Sequence, residues 1–356
     1  MRSELPAVGK ISPEIFEQLI FPNLGASNTS ILVGPQHGVD VGVVDLGHGL
    51  VMALTTDPVF VVPQYGWERA AWFAVHILAS DAATCGLRPT YLSIDLNLPR
   101  AIQKPELEFL WTAIHRECQK LGITIVSGHT ARYDGCDYPM VGGATMICVG
   151  PKSQYLTPQM ARQGDHIILT KGAAIEATGI FAVTFSRQIA ERYGESFALR
   201  AQEIFWQMSV VEDALTAVSV GVHENGVTAM HDATECGVWG GLYEVAQASA
   251  VGMVVDKERI PILEEVDEIC SHFGMDPYSA ISEGSLIITC RPHRTPEVLQ
   301  ALQQKNINCA VIGSVISPKR GIQLVERGRQ RPLVHPRVDP FWDAFRRALE
   351  GKNSKQ

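Results

Sequence analysis

Residues 80–99 read SDAATCGLRPTYLSIDLNLP, an Ala-rich segment that ends at Gly86 and leads into an alternating segment. Residues 67–86 carry apolar side chains at helical spacing, which predicts a helix that stops at Gly86. Residues 89–99 alternate apolar and polar side chains, which predicts a half-buried strand. A helix followed by a strand is a unit from which α/β and α+β domains are built.

The same alternation continues on both sides of this stretch. Strand-like segments occur at 41–47, 50–58, 122–128, 166–170, 253–256, 285–290 and 309–315. Residues 151–165 are polar and contain two prolines, which is typical of a linker. We therefore expect an α/β (α+β) fold with two domains, residues 1–155 and 156–356.

Composition excludes several classes of protein. The chain has 356 residues, 46% of them hydrophobic, and 38 acidic residues against 30 basic ones, so no basic surface is expected for nucleic acid. No apolar run reaches the ~18–20 residues of a membrane helix. The N-terminus lacks the apolar core of a signal peptide, and the eight cysteines contain no CxxC pair. These features predict a cytoplasmic protein with reduced thiols that acts on a small-molecule substrate.

The placement of four aspartates is the informative feature for function. Asp40 precedes a predicted strand, Asp57 closes one, Asp81 lies in the Ala-rich helix, and Asp232 lies between an apolar segment and a helix start. A buried carboxylate is costly unless it is paired or binds a metal. Mg²⁺ is usually held by one or two carboxylates together with phosphate oxygens. The pattern favours a magnesium–nucleotide site.

Each of these aspartates also has an ordinary structural explanation. Asp57 precedes a proline and suits a turn or a cap. Asp81 could pair with Arg69 or Arg88, and Asp232 could be the N-cap of the following helix. The residues alone leave these alternatives open.

Two further segments are candidates for phosphate contact. Gly128, His129 and Thr130 follow an apolar strand, where a hydroxyl and backbone N–H groups could face a phosphate, although an ordinary turn explains them equally. Lys171 ends a strand just before a helix, a position that favours phosphate, although a lone strand-end lysine is more often a surface residue. Neither GxxxxGK[ST] nor GxGxxG occurs in the chain.

Taken in order, these segments resemble the AIR synthase (PurM-like) superfamily. The resemblance is carried by GPQHGVDVGVVD (34–45), TTDPVF (55–60), SDAATCGLRPTYLSIDLNLP (80–99), SGHT (127–130), GDHIILTKGAAIEATG (164–179) and MHDATECGVWGGLYEVA (230–246). It implies a two-domain PurM-like fold, in which an N-terminal mixed sheet forms a barrel shared across a homodimer and the C-terminal domain is an α/β sandwich. It also implies that ATP and Mg²⁺ are bound.

The resemblance also implies roles for particular residues. Three acids would hold the metal, namely Asp40, Asp57 and Asp81, and the catalytic positions would be Asp57, Asp81 and Asp232. The nucleotide would be contacted at Gly128, His129, Thr130, Lys171, Thr234 and Glu176. The chain departs from the family pattern at Val39, Ser80, Ser127 and Cys236.

The sequences of these motifs are most similar to those of the HypE-like and AIR synthase-related branches. HypE ends in a Pro-Arg-Ile-Cys tail whose thiol carries the reacting group, whereas the last cysteine here is Cys309, so we do not expect that reaction in its known form. We expect an ATP- and Mg²⁺-dependent enzyme that transfers phosphoryl to, or activates, an oxygen of a small substrate. The alternatives are a non-catalytic ATP-binding protein that docks to a maturation partner, and a dimer scaffold whose site has decayed.

Overall fold

The computed structural model describes residue 11 and residues 13–353. The N-terminal ten residues and the last three, on which the expectations about a signal peptide and a tail partly rest, lie outside the described residues. No helix within the described residues has the length and apolar character needed to cross a lipid bilayer.

The first half of the chain forms a six-stranded mixed sheet. In chain order its strands are β1 (Ile31–Val33), β2 (Gly42–Gly47), β3 (Leu50–Phe60), β4 (Pro89–Leu98), β5 (Thr124–Arg132) and β6 (Met140–Pro151). They are arranged in the order β1-β2-β3-β6-β4-β5, in which only β4 and β5 are parallel neighbours. The sheet confirms the mixed α/β class.

Helices cover one face of this sheet. The half contains α1 (Pro13–Ile15), α2 (Trp67–Ala83) and α3 (Lys104–Leu121), and α2 packs on β3, β4 and β6. A capping box between Gln103 and Glu106 begins α3, and Gly122 ends it in the left-handed region. The apolar side of α2 is almost entirely buried, because it lies between the sheet and α3.

The other face of the first sheet remains open. Strand pairing places Leu50, Met52, Leu54, Tyr91, Ile147 and Val149 on it, and we call these six residues the open face. Leu50, Tyr91 and Val149 are exposed. Beside them lies a cavity of about 370 Å³ whose lining includes Thr56, Asp95 and His129.

The second half forms a seven-stranded sheet flanked by helices. Its strands are β7 (His166–Thr170), β8 (Val227–Asp232), β9 (Gly252–Asp256), β10 (Leu286–Cys290), β11 (Cys309–Ile316), β12 (Ile322–Glu326) and β13 (Arg329–Pro332). Its helices are α4 (Ile175–Thr184), α5 (Ser186–Tyr193), α6 (Glu195–Glu203), α7 (Val211–Ser219), α8 (Gly237–Ala248), α9 (Glu264–Phe273), α10 (Thr295–Gln304) and α11 (Pro340–Asn353).

Two local predictions differ from the structure, and one segment had no prediction. Asp57 does not close its strand, because β3 continues to Phe60 and Asp57 pairs with Ala144 of β6. β5 does not stop at Gly128 but continues to Arg132, because β4 extends far enough to pair with it. Residues 186–219 form three helices for which the sequence analysis had no prediction.

The two halves meet along α2. This helix contacts α7 and β8 of the second half as well as the first sheet, and one hydrophobic core contains buried residues from both halves. The last turn of α2 therefore lies next to the end of β8, and this junction is where the acidic residues converge.

Candidate active site

Four carboxylates from four separate elements converge at the junction. Asp57 projects from β3, Asp81 from the last turn of α2, Asp232 is the final residue of β8, and Glu283 lies just before β10. Oxygens of Asp81, Asp232 and Glu283 all lie within 4.8 Å of one another. A carboxylate in the last turn of a helix opposes the helix dipole, so the position of Asp81 has no local structural benefit.

Two of these carboxylates are buried and the other two are half-buried. Asp232 is 0% exposed and Glu283 is 1% exposed. Among the described residues, no hydrogen-bond donor reaches either oxygen of Asp232, Oδ2 of Asp57 or Oε2 of Glu283. Within the same described part of the chain, no lysine or arginine forms an ion pair with these groups or with Asp81.

The electrostatic consequence is a strong preference for added positive charge. Burial, followed by the negative charges of Asp232, Asp40 and Asp57, holds the pKa of Asp81 well above its usual value. Burial and the charge of Asp232 do the same to the pKa of Glu283. A divalent cation would relieve both effects, and an all-oxygen donor set is the kind that Mg²⁺ prefers. The residues present therefore fit a magnesium ion.

A histidine lies between two carboxylates on the other side of Asp232. His231 in β8 is 2% exposed, its Nδ1 lies 2.8 Å from Asp40 Oδ2, and its Nε2 lies 2.8 Å from Glu244 Oε2. Burial of the ring opposes its charge, but Asp40 and Glu244 outweigh burial, so the pKa of His231 lies well above its ordinary value. Asp40, His231 and Asp232 form a second close group, within 4.8 Å.

Two further acids extend the site toward the C-terminal segment. Glu176 in the first turn of α4 accepts a hydrogen bond from the Glu283 N–H, and burial raises the pKa of Glu176 to about 8. Asp339 lies between β13 and α11 and accepts hydrogen bonds from the N–H groups of Cys236 and Phe341. Burial raises the pKa of Asp339 to about 6, against the opposite effect of its backbone donors.

Family models match both halves of the chain. The N-terminal domain of AIR synthase related protein matches residues 38–149, and its C-terminal domain matches residues 162–325. The chain belongs to the AIR synthase-related family. The predicted domain boundary at residue 155 lies in the interval between the two matches.

Curated relatives of this AIR synthase-related chain are HypE-like. A protein of Methanocaldococcus jannaschii named for hydrogenase expression or formation is 24% identical over 343 residues, which are 94% of this chain and 96% of the relative. The carbamoyl dehydratase HypE of Azotobacter vinelandii is 26% identical over 251 residues, which are 68% of this chain and 69% of the relative.

Solved structures share the two-domain PurM-like fold. The HypE–HypF complex has a TM-score of 0.70 at 19% identity and covers 90% of this chain and 99% of the matched one. HypE in complex with ATP has a TM-score of 0.65 at 22% identity, with coverages of 94% and 97%. A ThiL complexed with AMPPCP and TMP has a TM-score of 0.63 at 20% identity, with coverages of 82% and 88%. At these identities the likeness shows the fold alone.

The structure brings together some of the residues selected from sequence. Asp40, Asp57, Asp81 and Asp232 meet at the junction, and Glu176 lies next to them through the Glu283 N–H. The alternative explanations do not hold for two of them: no ion pair joins Asp81 to Arg69 or Arg88 among the described residues, and Cys236, not Asp232, is the N-cap of α8.

Lys171 is fully engaged in structural contacts. Its Nζ donates to both oxygens of Asp213 at 2.8 Å and to the carbonyl oxygens of Ser209 and Gly284 at 2.8 and 2.9 Å. Its side chain is 12% exposed. The contact with Gly284 holds the peptide next to Glu283, so in this structure Lys171 supports the site instead of presenting a free ammonium group.

The triplet Gly128, His129 and Thr130 is in a different environment from the one predicted. The placement in a turn is wrong, because all three residues lie inside β5 and pair with β4. A Cβ at Gly128 would lie 2.2 Å from the Ile94 carbonyl oxygen, so close strand packing explains the glycine. Gly128 and His129 line the cavity beside the open face.

Thr234 lies in the turn between β8 and α8. Its carbonyl oxygen accepts hydrogen bonds from Gly237 N and Ser282 N, which joins this turn to the segment that carries Glu283. Cys236 follows with φ of +62°, in the left-handed region that favours glycine, and its N–H is held by Asp339. The turn is thus fixed by backbone contacts on both sides.

Sequence reasoning missed His231, Glu283, Glu244 and Asp339 as site residues. His231 and Glu283 each carried a signal, since His231 follows two apolar residues of a strand and Glu283 lies three residues before the strand β10. Glu244 lies on α8 and Asp339 lies outside the residues matched by the family models, so neither has a local pattern that indicates a site.

Proposed function

We propose that the chain is an ATP- and Mg²⁺-dependent enzyme that transfers phosphoryl to, or activates, an oxygen of a small substrate. The observation that carries this proposal is the group of buried and half-buried carboxylates that form no ion pair with a lysine or arginine among the described residues. Fold relatives that include HypE in complex with ATP and ThiL with AMPPCP support it. Phosphoryl transfer requires mainly positioning and charge neutralisation, which such a site supplies.

Each residue of the candidate site has a specific part in this proposal. Asp57, Asp81, Asp232 and Glu283 would hold Mg²⁺, which when bound neutralises charge on the transferring phosphoryl group. Lys171 fixes the peptide after Glu283 through the Gly284 carbonyl. Glu176, with its pKa raised to about 8 by burial, holds a proton at neutral pH and can donate a hydrogen bond to a substrate oxygen.

A second candidate is an ATP-binding maturation protein that acts by docking to a partner. The likeness to HypE in its complex with HypF favours it. Two cysteines of this chain are poorly suited to act as the carrier thiol that the HypE tail provides. Cys309 lies in β11, and burial raises the pKa of its thiol to about 11. Cys236 is close to the site, but burial raises the pKa of its thiol to about 12.

We also propose that the chain forms a homodimer through the open face. Leu50, Tyr91 and Val149 are exposed apolar side chains in one continuous patch with their half-buried neighbours, which is unusual for a surface that stays in water. Val149→Lys should convert a dimer to a monomer in sedimentation experiments.

All eight cysteines are free thiols, which supports the cytoplasm as the compartment.

The deciding experiment is ADP release by the purified chain with ATP and Mg²⁺. Turnover in the wild type that falls at least about 100-fold in Asp57→Asn and Asp81→Asn supports an enzyme whose charge-stabilising groups are these carboxylates. Asp343→Asn is the matched control, because Asp343 is exposed in α11 and pairs only locally with Arg346. Binding of ATP without turnover would favour the docking protein, and failure to bind ATP and Mg²⁺ would indicate a decayed site.

A further inference from the structure

We propose that a cleft between α4, α5, α9 and α11, here called the helical cleft, binds a small organic acid, a molecule with one carboxylate or phosphate group and an apolar body. The cleft has a volume of about 480 Å³, and small-molecule sites usually measure about 300–1,000 Å³. Thr184, which lines it, is the last residue of α4, whereas Glu176 lies in the first turn of that helix. The inference therefore goes beyond the proposed function.

The floor of the helical cleft is apolar and well packed. Phe185 and Phe273 line it, and their ring centroids lie 5.5 Å apart. Both rings pack in the hydrophobic core that α4, α6, α9 and α11 share, which keeps the floor in place. Ala344 and Ala348 of α11 also line the cleft. Because these two side chains are small, they leave room for the apolar body of a ligand above the aromatic floor.

The charged groups of the lining favour an anion. Arg347 of α11 forms no ion pair within the described part of the chain, and its Nη2 lies 3.5 Å from the Phe273 carbonyl oxygen, a long contact. Arg187 of α5 pairs with Glu191 through its Nε at 2.9 Å. The charge of Glu191 is therefore balanced by Arg187, and the charge of Arg347 is in excess. A guanidinium group binds a carboxylate or a phosphate with two parallel hydrogen bonds.

A neutral pair of side chains completes the lining. Gln188 Nε2 lies 3.1 Å from His272 Nε2. Burial, followed by the charge of Arg192, lowers the pKa of His272, so the ring is neutral at pH 7 and can accept the amide N–H. The pair supplies polar groups without a negative charge that would repel an acid.

The test is isothermal titration calorimetry of the full chain in the presence of chelator, with phenyl phosphate and phenylacetate as probes. At least one of them should bind at one site per chain. Inorganic phosphate lacks the apolar body and benzyl alcohol lacks the charge, so each should bind at least about 10-fold more weakly. Tighter binding of phenyl phosphate would identify a phosphate ester as the ligand class, and tighter binding of phenylacetate would identify a carboxylic acid.

Three variants locate the binding. Arg347→Met should weaken it at least about 10-fold, because a charge-assisted hydrogen bond is lost. Arg346→Met is the matched control, since Arg346 is the adjacent residue of α11, pairs with Asp343 and does not line the cleft, so binding should be unchanged. Ala348→Phe retains both arginines and fills the cleft, and it should abolish binding. Circular dichroism of each variant checks that it is folded.

The outcomes distinguish this inference from the proposed function. It is overturned if neither acid binds, if benzyl alcohol binds equally well, or if Arg346→Met weakens binding as much as Arg347→Met does. Loss of binding in Asp81→Asn would place the probe at the carboxylates and would overturn it as well. A chain that releases ADP but binds neither acid contradicts the helical cleft alone, whereas acid binding without ADP release contradicts the enzyme alone.

Discussion

Replacement of Asp232 by asparagine should make the metal-free protein more stable and the metal-loaded protein less stable. Asp232 is 0% exposed, no lysine or arginine among the described residues pairs with it, and burial followed by the charge of Asp40 raises its pKa. Asparagine is nearly the same size, carries no charge, and brings two N–H donors to the neighbouring carboxylates. Removal of the charge therefore relieves repulsion in the absence of metal and removes a ligand in its presence.

The magnitude follows from burial and from proton linkage. A buried polar group without a partner costs about 1–3 kcal/mol. Burial raises the pKa of Asp232 above its ordinary 3.8, so the folded chain binds the proton more tightly than the unfolded chain. Stability of the wild type therefore falls as the pH rises above ~4 through the folded-state pKa, and the gain from asparagine grows over the same range. At pH 8 we expect the free energy of unfolding of the metal-free Asp232→Asn variant to exceed that of wild type by about 1–3 kcal/mol. Each kcal/mol corresponds to roughly 2–4 °C in Tm.

The assay is thermal unfolding of wild type and Asp232→Asn at pH 8, with chelator and then with Mg²⁺. Wild type should gain about 2.7 kcal/mol at a Mg²⁺ concentration 100 times its Kd, and the variant should gain little, so that the order of stability reverses. Asp343→Asn should change neither condition, because its side chain is 62% exposed. A variant that is less stable than wild type with chelator would refute the reasoning, since Asp232 would then have a stabilising partner.

Three further perturbations test other parts of the site. Glu176→Gln should reduce the loss of stability that the wild type shows as the pH rises from 4.5 to about 8, because part of that loss reflects deprotonation of Glu176. Urea unfolding at pH 5 and pH 8 measures the difference. Lys171→Met should cost about 3–5 kcal/mol in urea unfolding, because it leaves the buried Asp213 unpaired, and a variant that keeps its stability but loses ATP affinity would instead favour a phosphate role. Gly128→Ala should cost about 1–3 kcal/mol, because its Cβ would lie 2.2 Å from the Ile94 carbonyl oxygen, whereas Gly34→Ala, whose nearest neighbour is 3.8 Å away, should leave the Tm unchanged.

Local patterns predicted much of the fold. The helix predicted at 67–86 is found as α2, because this segment has an apolar side and Gly86 lies just beyond its end. The end of β5 was predicted four residues early, because its exposed residues join the sheet only through pairing with β4. That pairing is a long-range contact, and no pattern within residues 122–132 encodes it.

The candidate site was predicted in part for the same reason. Asp40, Asp57, Asp81 and Asp232 could be selected because a carboxylate next to an apolar segment or in an Ala-rich helix has no local benefit. In sequence, Lys171 has the position of a phosphate-binding lysine. In the structure its ammonium group forms an ion pair with Asp213, which lies 42 residues away in the chain. His231 and Glu283 become site residues only because β8 and β10 are neighbours in the second sheet.

The amino-acid sequence by itself indicated most of the strands and several of the helices, and it indicated the family and the class of chemistry. Hydropathy, charge and spacing are local properties of a segment, and a segment carries them in any context. Only the tertiary structure decided which acids share a site and which lysine is already neutralised. Electrostatic energy depends on the distance between groups and on the exclusion of water, and both arise when α2, β3 and β8 pack together.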